Sequence, residues 1–193
     1  MKTWLNTVSG AAAAAVLSCS LASAPALAEK PKWAQKADDS IVEFAIGASG
    51  EPYAFDTNGE DFDILVAALV ATGVVGIFDG TDYTVFAPND QAFYNLTGTD
   101  NDTDAFNAVV GLLGVPGVAD VLAYHVSDGV RNSRSVTRAK QITMLDGNAI
   151  SARSGWIEAA FSDSGILDAD NRLLDGMVHV IDTVLLPVDP STL

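Results

Sequence analysis

One eleven-residue segment, Tyr83 to Phe93, constrains the fold more than any other part of the chain. It begins with four β-branched or aromatic residues, which suit a pleated and half-buried strand. Pro88 lacks a backbone donor and biases Ala87 towards extended geometry, so the strand has to end there. Asn89 is a good N-cap for a following helix, and Asp90 places a negative charge in its first turn, where it complements the helix dipole. The segment therefore predicts a strand, a forced turn and a helix start in direct succession.

Residues 1–28 have the pattern of a secretory signal peptide. A basic residue precedes an apolar run, and Ala26-Leu27-Ala28 offers small residues at a cleavage position. The run is short for a bilayer-crossing helix, and we expect no later segment to span a membrane. Leu17 fits a lipoprotein box poorly, so lipid anchoring at Cys19 is not expected. The chain is predicted to be exported, to the periplasm or outside the cell, with residues 29–39 as a short polar leader.

Cysteine content and charge exclude several classes of function. Cys19 is the single cysteine, so the mature chain would have neither disulfides nor thiol chemistry. The 25 acidic and 10 basic side chains give a net charge of −15, which argues against nucleic acid and anionic membrane surfaces as partners. The sequence has no Gly-x-Ser-x-Gly elbow, phosphate-binding glycine loop or His-Glu-x-x-His motif. We therefore predict a protein that is not an enzyme, with one domain at residues 40–188 and a tail at 189–193.

Apolar periodicity changes along this domain from helical to strand-like. Helices are predicted at 40–48, at 106–113 and from Pro116 to His125. A further helix is predicted to begin with a cap at Asp61 or Asp63 and to end at Gly73. Strand patterns follow at 156–161 and 177–186, after a hairpin at 142–151 with a two-residue turn at Asp146-Gly147. Helices first and strands later indicate an α+β fold.

Four segments carry a resemblance to a known family. Tyr83–Phe93 closely resembles the first signature box of the fasciclin domain family, and Gly176–Pro187 resembles the second. Between them, Leu122–Val126 is similar to the family's Tyr-His box, and Met144–Gly147 resembles the hairpin that follows that box. The signature residues are Thr84, Val85, Phe86, Ala87, Pro88, Asn89, Phe93, Tyr124, His125, Gly176, His179 and Asp182. The resemblance implies a fasciclin-like fold, with a β-sandwich or wedge core and helices mostly in the N-terminal half, in a secreted and mostly adhesive family.

The two histidines and two acidic loops are the candidates for a structural or metal-binding site. His125 and His179 lie in apolar segments, so we expect buried, hydrogen-bonded structural residues, with Asp182 as a potential partner of either one. Asp100–Asp104 has the oxygen spacing of a calcium loop, but the EF-hand pattern fails after it, and a turn that caps the next helix is favoured. The loop at 56–61 is a similar weak candidate. No metal site is predicted.

A short basic patch stands out on this acidic chain. It consists of Arg131, Arg134, Arg138 and Lys140. These side chains either balance nearby acids or contact an acidic polysaccharide or anionic protein.

The expected function is adhesion or matrix interaction, through a protein or glycan partner at the cell surface. The alternative is an extracellular carrier of an apolar small molecule such as a carotenoid, with a groove lined by Leu65–Leu69 and Val109–Leu113. Ordinary core packing is the other explanation of those apolar faces. No cofactor is otherwise expected.

Overall fold

The computed structural model describes residues 39–49, 54–78, 81–153 and 155–189. The predicted signal peptide, the leader apart from Asp39 and the tail beyond Asp189 lie outside these residues. The helices are α1 (Ile41–Ala48), α2 (Asp63–Thr72), α3 (Asp90–Thr97), α4 (Asp102–Tyr124) and the short α5 (Ser133–Val136), with a 3₁₀ turn at Val74–Ile77. The strands are β1 (Tyr83–Pro88), β2 (Val126–Asp128), β3 (Ile142–Thr143), β4 (Ala149–Arg153), β5 (Trp156–Glu158), β6 (Asp163–Leu173) and β7 (Gly176–Ile181).

The strands form a seven-stranded mixed sheet in the order β2-β1-β7-β6-β5-β4-β3. Strand β1 runs parallel to β7 and antiparallel to β2, and the remaining neighbours are antiparallel. The two edges approach each other, because the Leu145 amide donates to the Val126 carbonyl at 2.8 Å. The Ser127 hydroxyl also donates to the Thr143 carbonyl at 3.0 Å. The predicted α+β fold is confirmed, and its wedge is one strongly curled sheet.

Two apolar cores lie on opposite faces of β1 and β7. Val85 and Val178 pack towards the helices, in a core that includes Leu65 of α2. Phe86 and Ile181 pack inside the wedge. Successive side chains of a strand point to opposite faces, so adjacent residues of one signature box enter different cores. The strand of this box, predicted as half-buried, is therefore buried on both faces and supports both layers of the domain.

The predicted hairpin is present, but its turn is one residue longer than expected. Thr143 pairs with Ala149, and the Met144 amide donates to the Asn148 carbonyl at 2.8 Å. Three residues, 145–147, therefore form the loop, and Gly147 adopts a φ of 89°. A left-handed glycine at this position is typical of three-residue hairpin loops. The predicted two-residue turn is wrong.

The C-terminal strands differ from their predicted bounds. Strand β6 was not predicted, because two register irregularities between Ile166 and Asn171 break its alternation and leave four successive residues exposed. Strand β7 ends at Ile181 rather than Leu186. Beyond it, Leu185 and Leu186 are buried outside any strand. Strand β5 is likewise shorter than its predicted bounds of 156–161.

Helix α4 is long and apolar enough, by length and composition, to cross a membrane. This differs from the expectation that no later segment spans a membrane, since the sequence pattern divides these residues into two shorter helices. The division itself is correct, since Gly114 has a non-helical φ of 65° and ψ of 164° inside α4. Val109, Val118 and Leu122 are buried in the core on both sides of this kink. A core helix of a folded domain passes the same composition test, so α4 gives only weak indication of a membrane span.

Candidate functional site

The two histidines are buried and hydrogen-bonded, as predicted. The Nδ1 atom of His125 lies 2.7 Å from the Val121 carbonyl, and its Nε2 accepts a hydrogen bond from the Leu185 amide at 2.9 Å. One ring nitrogen therefore donates and the other accepts, which is the pattern of a neutral imidazole. Burial lowers the pKa of His125 to about 4, against the opposing effects of the Val121 carbonyl and Asp146.

His179 connects β7 to the loop that follows β2. Its Nε2 lies 2.8 Å from the Arg131 carbonyl, and its Nδ1 accepts from the Asp170 amide at 3.2 Å. Its ring stacks on Phe86 with centroids 5.7 Å apart. Burial lowers the pKa of His179, and the Arg131 carbonyl and Asp170 oppose this effect. Like His125, it is held as a neutral ring that makes two hydrogen bonds.

Asp182 is not a partner of either histidine, which corrects the prediction. Its Oδ1 accepts hydrogen bonds from the Ser164 hydroxyl at 3.0 Å and the Gly165 amide at 2.9 Å. It also accepts from the Thr183 hydroxyl at 3.0 Å. The carboxylate therefore joins the end of β7 to β6.

The basic patch lies on a loop that is attached to the sheet at three points. The Arg131 amide donates to the Thr84 hydroxyl at 2.8 Å, and the Arg131 carbonyl meets His179. The amide and hydroxyl of Ser133 donate to the two carboxylate oxygens of Asp170 at 2.6 and 2.7 Å. Two signature residues, Thr84 and His179, thus fix the position of the patch through backbone atoms.

Three of the four predicted basic residues line one open hollow of about 490 Å³. They are Arg131, Arg134 and Arg138, whereas Lys140 is exposed but outside the lining. Within the part of the chain that the structure describes, none of these four side chains forms an ion pair. The Nε atom of Arg131 is buried and has no hydrogen-bond partner there. The hollow therefore presents cationic groups that nearby acids leave unpaired.

The two acidic loops considered for calcium meet in space. The Asp56 amide donates to Asp102 Oδ2 at 2.6 Å, and the Asp102 amide donates to the Asp56 carbonyl at 3.1 Å. The Tyr94 hydroxyl donates to Asp102 Oδ1 at 2.6 Å. The predicted capping of α4 by the loop at 100–104 is confirmed, since Asn101 Oδ1 accepts a hydrogen bond from the Asp104 amide at 2.9 Å. Neither the loop spacing nor the capping pattern predicts that the loops touch.

Asp90 provides the N-terminal cap of α2, which corrects the predicted cap at Asp61 or Asp63. Its Oδ2 accepts from the Asp63 amide at 2.8 Å, and its Oδ1 accepts from the Ile64 amide at 3.0 Å. Its own helix is capped by Asn89 as predicted, through a 3.1 Å bond from the Ala92 amide. Asp90 is therefore a buried link between two helices rather than a solvated first-turn charge.

Five carboxylates converge around these contacts. One carboxylate oxygen from each of Asp56, Asp61 and Asp63 lies within 4.8 Å of the other two, and the same holds for Asp63, Asp90 and Asp102. Burial, together with the neighbouring acids, raises the pKa of Asp63 to about 6. Burial also raises the pKa of Asp90 and of Asp102, although both accept hydrogen bonds that oppose the shift. The cluster therefore crowds acidic groups together, and the raised pKa values mean that Asp90 in particular holds a proton at neutral pH.

The two apolar faces proposed for a carrier meet only around a cavity of about 10 Å³, lined in part by Ala68, Val109 and Leu113, and each face also lines a space of its own. Leu65 and Leu69 line an enclosed cavity of about 30 Å³ between the helices and the sheet. Val109, Leu112 and Leu113 line a separate groove of about 260 Å³ at the surface. Ligand pockets commonly have volumes of about 300–1,000 Å³. The enclosed cavity is far below that range and the surface groove lies just under it.

Comparison with known proteins agrees with this fold. The sequence profile described as Fasciclin domain matches residues 60–187. The chain is 31% identical over 131 residues to an uncharacterized protein of Synechocystis, sll1735, covering 66% of this chain and 90% of that protein. It is 29% identical over 127 residues to the transforming growth factor-beta-induced protein ig-h3 of Sus scrofa, covering 65% of this chain.

The chain spans only 18% of the length of that Sus scrofa protein. Among solved structures, it is similar to a FAS1 domain pair from the insect cell adhesion molecule Fasciclin I, with a TM-score of 0.51 and 18% identity. That match covers 67% of this chain and 46% of the insect chain, and it concerns the fold alone. Fasciclin domains occur in secreted or extracellular proteins and are generally adhesive rather than enzymatic. The profile match covers more than half of the chain, which therefore belongs to the fasciclin domain family.

Proposed function

We propose that this protein is an exported, non-enzymatic interaction domain that binds an anionic glycan or protein at the cell surface. The observation that carries the proposal is the hollow lined by Arg131, Arg134 and Arg138. The association of related fasciclin domains with adhesion supports it. The predicted signal peptide supports an extracellular or periplasmic location.

The chemistry of arginine suits such a partner. A guanidinium group presents several donors in a planar fork that matches a carboxylate or sulfate. Because Thr84 and His179 hold the loop by its backbone, binding requires less ordering of the loop itself. The net charge of −15 repels an anionic partner elsewhere, so the patch would also determine the orientation of binding.

The test is charge reversal at the two exposed arginines of the hollow, in the double variant Arg134→Glu and Arg138→Glu. Binding would be measured on immobilised alginate, a carboxylated polysaccharide, and on heparin, a sulfated one. We expect affinity for the bound polysaccharide to fall about tenfold or more, because attractive charges become repulsive. Retention of wild-type affinity would contradict the proposal.

A matched control is Arg153→Glu, which reverses an exposed arginine on β4, outside the hollow. It should leave binding unchanged, while circular dichroism confirms that each variant is folded. Attachment of native-host cells lacking the gene provides the functional measurement. Attachment equal to that of the parent strain would count against an adhesive role.

A second candidate function, carriage of an apolar molecule such as a carotenoid, is favoured by one observation. Leu112 is 47% exposed at the edge of the groove lined by Val109 and Leu113. Protein purified from its native host would then show visible absorbance. Colourless protein that takes up no added carotenoid would exclude this alternative.

A further inference from the structure

The acidic cluster consists of Asp56, Asp61, Asp63, Asp90 and Asp102, and some of its buried carboxylate oxygens have no hydrogen-bond partner among the described residues. Asp63, Asp90 and Asp102 are the first residues of α2, α3 and α4, and helix N-termini favour negative charge. This accounts for Asp90, which accepts two backbone amides. Asp102 is also satisfied, by the Tyr94 hydroxyl and the Asp56 amide.

Asp63 is not satisfied in the same way. It is 1% exposed, and neither of its carboxylate oxygens has a hydrogen-bond partner among the described residues. The nearby Ser49 hydroxyl acts to lower the pKa of Asp63, but it donates its hydrogen bond to the Ala45 carbonyl. Asp61 is 7% exposed, and its Oδ1 accepts no hydrogen bond from the described residues, although its carboxyl group lies beside that of Asp90 and helps to raise the pKa of Asp90. Burying an unpaired carboxylate is costly, so these oxygens require a ligand or protons.

The spacing of the oxygens fits a single cation. Calcium lies about 2.3–2.6 Å from its oxygen ligands, so two oxygens that share one ion can be up to about 5.2 Å apart. One carboxylate oxygen from each of Asp56, Asp61 and Asp63 lies within 4.8 Å of the other two. Within the described ranges, no lysine or arginine forms an ion pair with any member of the cluster.

We propose that Asp56, Asp61 and Asp63 bind one calcium ion. Asp56 is exposed, whereas the other two ligands are buried, so the ion would enter past Asp56 and retain water on that side. Calcium accepts such irregular oxygen sets, whereas magnesium demands near-octahedral geometry and loses its water reluctantly.

The loop that supplies two of the ligands is already held in place. The Asp90 amide donates to the Asp61 carbonyl at 3.0 Å, and the Gln91 amide donates to the Gly59 carbonyl at 2.8 Å. The Asn58 side chain donates to Asp61 Oδ2 at 2.8 Å, which leaves Oδ1 for the ion. Binding would therefore require little reordering of the loop and would join it to α2.

The experiment uses purified protein that has been dialysed against a chelator. Calcium chloride is added in isothermal titration calorimetry and in thermal unfolding, with magnesium chloride in parallel. We expect one calcium per chain, and at about 100 times Kd we expect Tm to rise by about 5–10 °C. No binding heat and no Tm change at millimolar calcium would overturn the proposal. Magnesium binding as tight as calcium binding would overturn the assignment to calcium.

Two variants separate a site from general electrostatics. Asp63→Asn should weaken calcium binding at least about tenfold and abolish the Tm rise, because a ligand charge is lost. Asp100→Asn removes the same charge from an exposed acid nearby that is outside the cluster, and it should bind as the wild type does. Equal losses in both variants would overturn the proposal. If Asp63→Asn does not fold, Asp61→Asn serves in its place with the same expectations.

Discussion

His125 should make the domain less stable at acidic pH. Its folded pKa of about 4 lies below the ordinary value of 6.5, because protonation would place a charge in the core and break the bond from the Leu185 amide. Between these two values the unfolded chain binds a proton that the native protein does not. The contribution of neutral His125 to stability is therefore fully present above pH 6.5, and it is lost as the pH decreases towards 4.

The size of this effect follows from the pKa difference. One pKa unit corresponds to about 1.4 kcal/mol, so the loss through His125 approaches about 3 kcal/mol at pH 4. His179 has a lowered pKa and acts in the same direction. The raised pKa values of Asp63, Asp90 and Asp102 act in the opposite direction, since the folded state holds their protons more tightly.

A non-titrating variant isolates the contribution of His125 from these other groups. His125→Gln keeps a donor and an acceptor, and urea unfolding would be measured for it and for the wild type from pH 7.5 to pH 4. The variant should be less stable at neutral pH because the amide fits the site imperfectly. As the pH decreases from 6.5 towards 4, the free energy of unfolding of the variant should fall by about 1.4 kcal/mol less per pH unit than that of the wild type. Parallel curves for the two proteins would refute the assignment of a neutral, buried His125.

Three further substitutions test the packing around the signature residues, each by urea unfolding at neutral pH. Asp90→Ala should cost about 1–3 kcal/mol, because two amides at the start of α2 lose their acceptor, and a cost near zero would refute its capping role. Gly176→Ala should be strongly destabilising, since its Cβ would collide with the carbonyl oxygen of Tyr83, whereas Gly47→Ala, with open space around it, should be tolerated. Phe86→Ala should cost about 3–5 kcal/mol, because Phe86 is fully buried inside the wedge, and a loss below about 1 kcal/mol would contradict that placement.

Features that depend on near neighbours in the chain could be predicted from the sequence. Asn89 caps α3 through an amide three residues away, and Pro88 ends β1 by its own covalent structure. Gly114 divides α4 because glycine adopts a conformation that other residues avoid. In each case the residue type and its immediate position determine the outcome.

Features that depend on distant parts of the chain could not be predicted in this way. Asp90 has the sequence position of an ordinary first-turn acid, yet it caps a helix 27 residues earlier. Strand β6 lacks alternation because its irregular register follows from pairing with β7. The acidic cluster likewise exists only because the starts of α2, α3 and α4 converge, which no spacing within one loop indicates.

The contacts of Thr84 and His179 explain why the signature boxes identify the family without identifying a ligand. The two residues lie on the parallel neighbours β1 and β7, and both hold Arg131 by its backbone amide or carbonyl. A backbone contact is available to nearly any residue at that position, so the boxes fix where the loop lies but not which side chains it carries. The guanidinium groups of the hollow are therefore free to vary within this fold. Under the proposed function, specificity for an anionic partner belongs to the loop and not to the boxes, so charge reversal at Arg134 and Arg138 should lower affinity about tenfold or more while the fold persists.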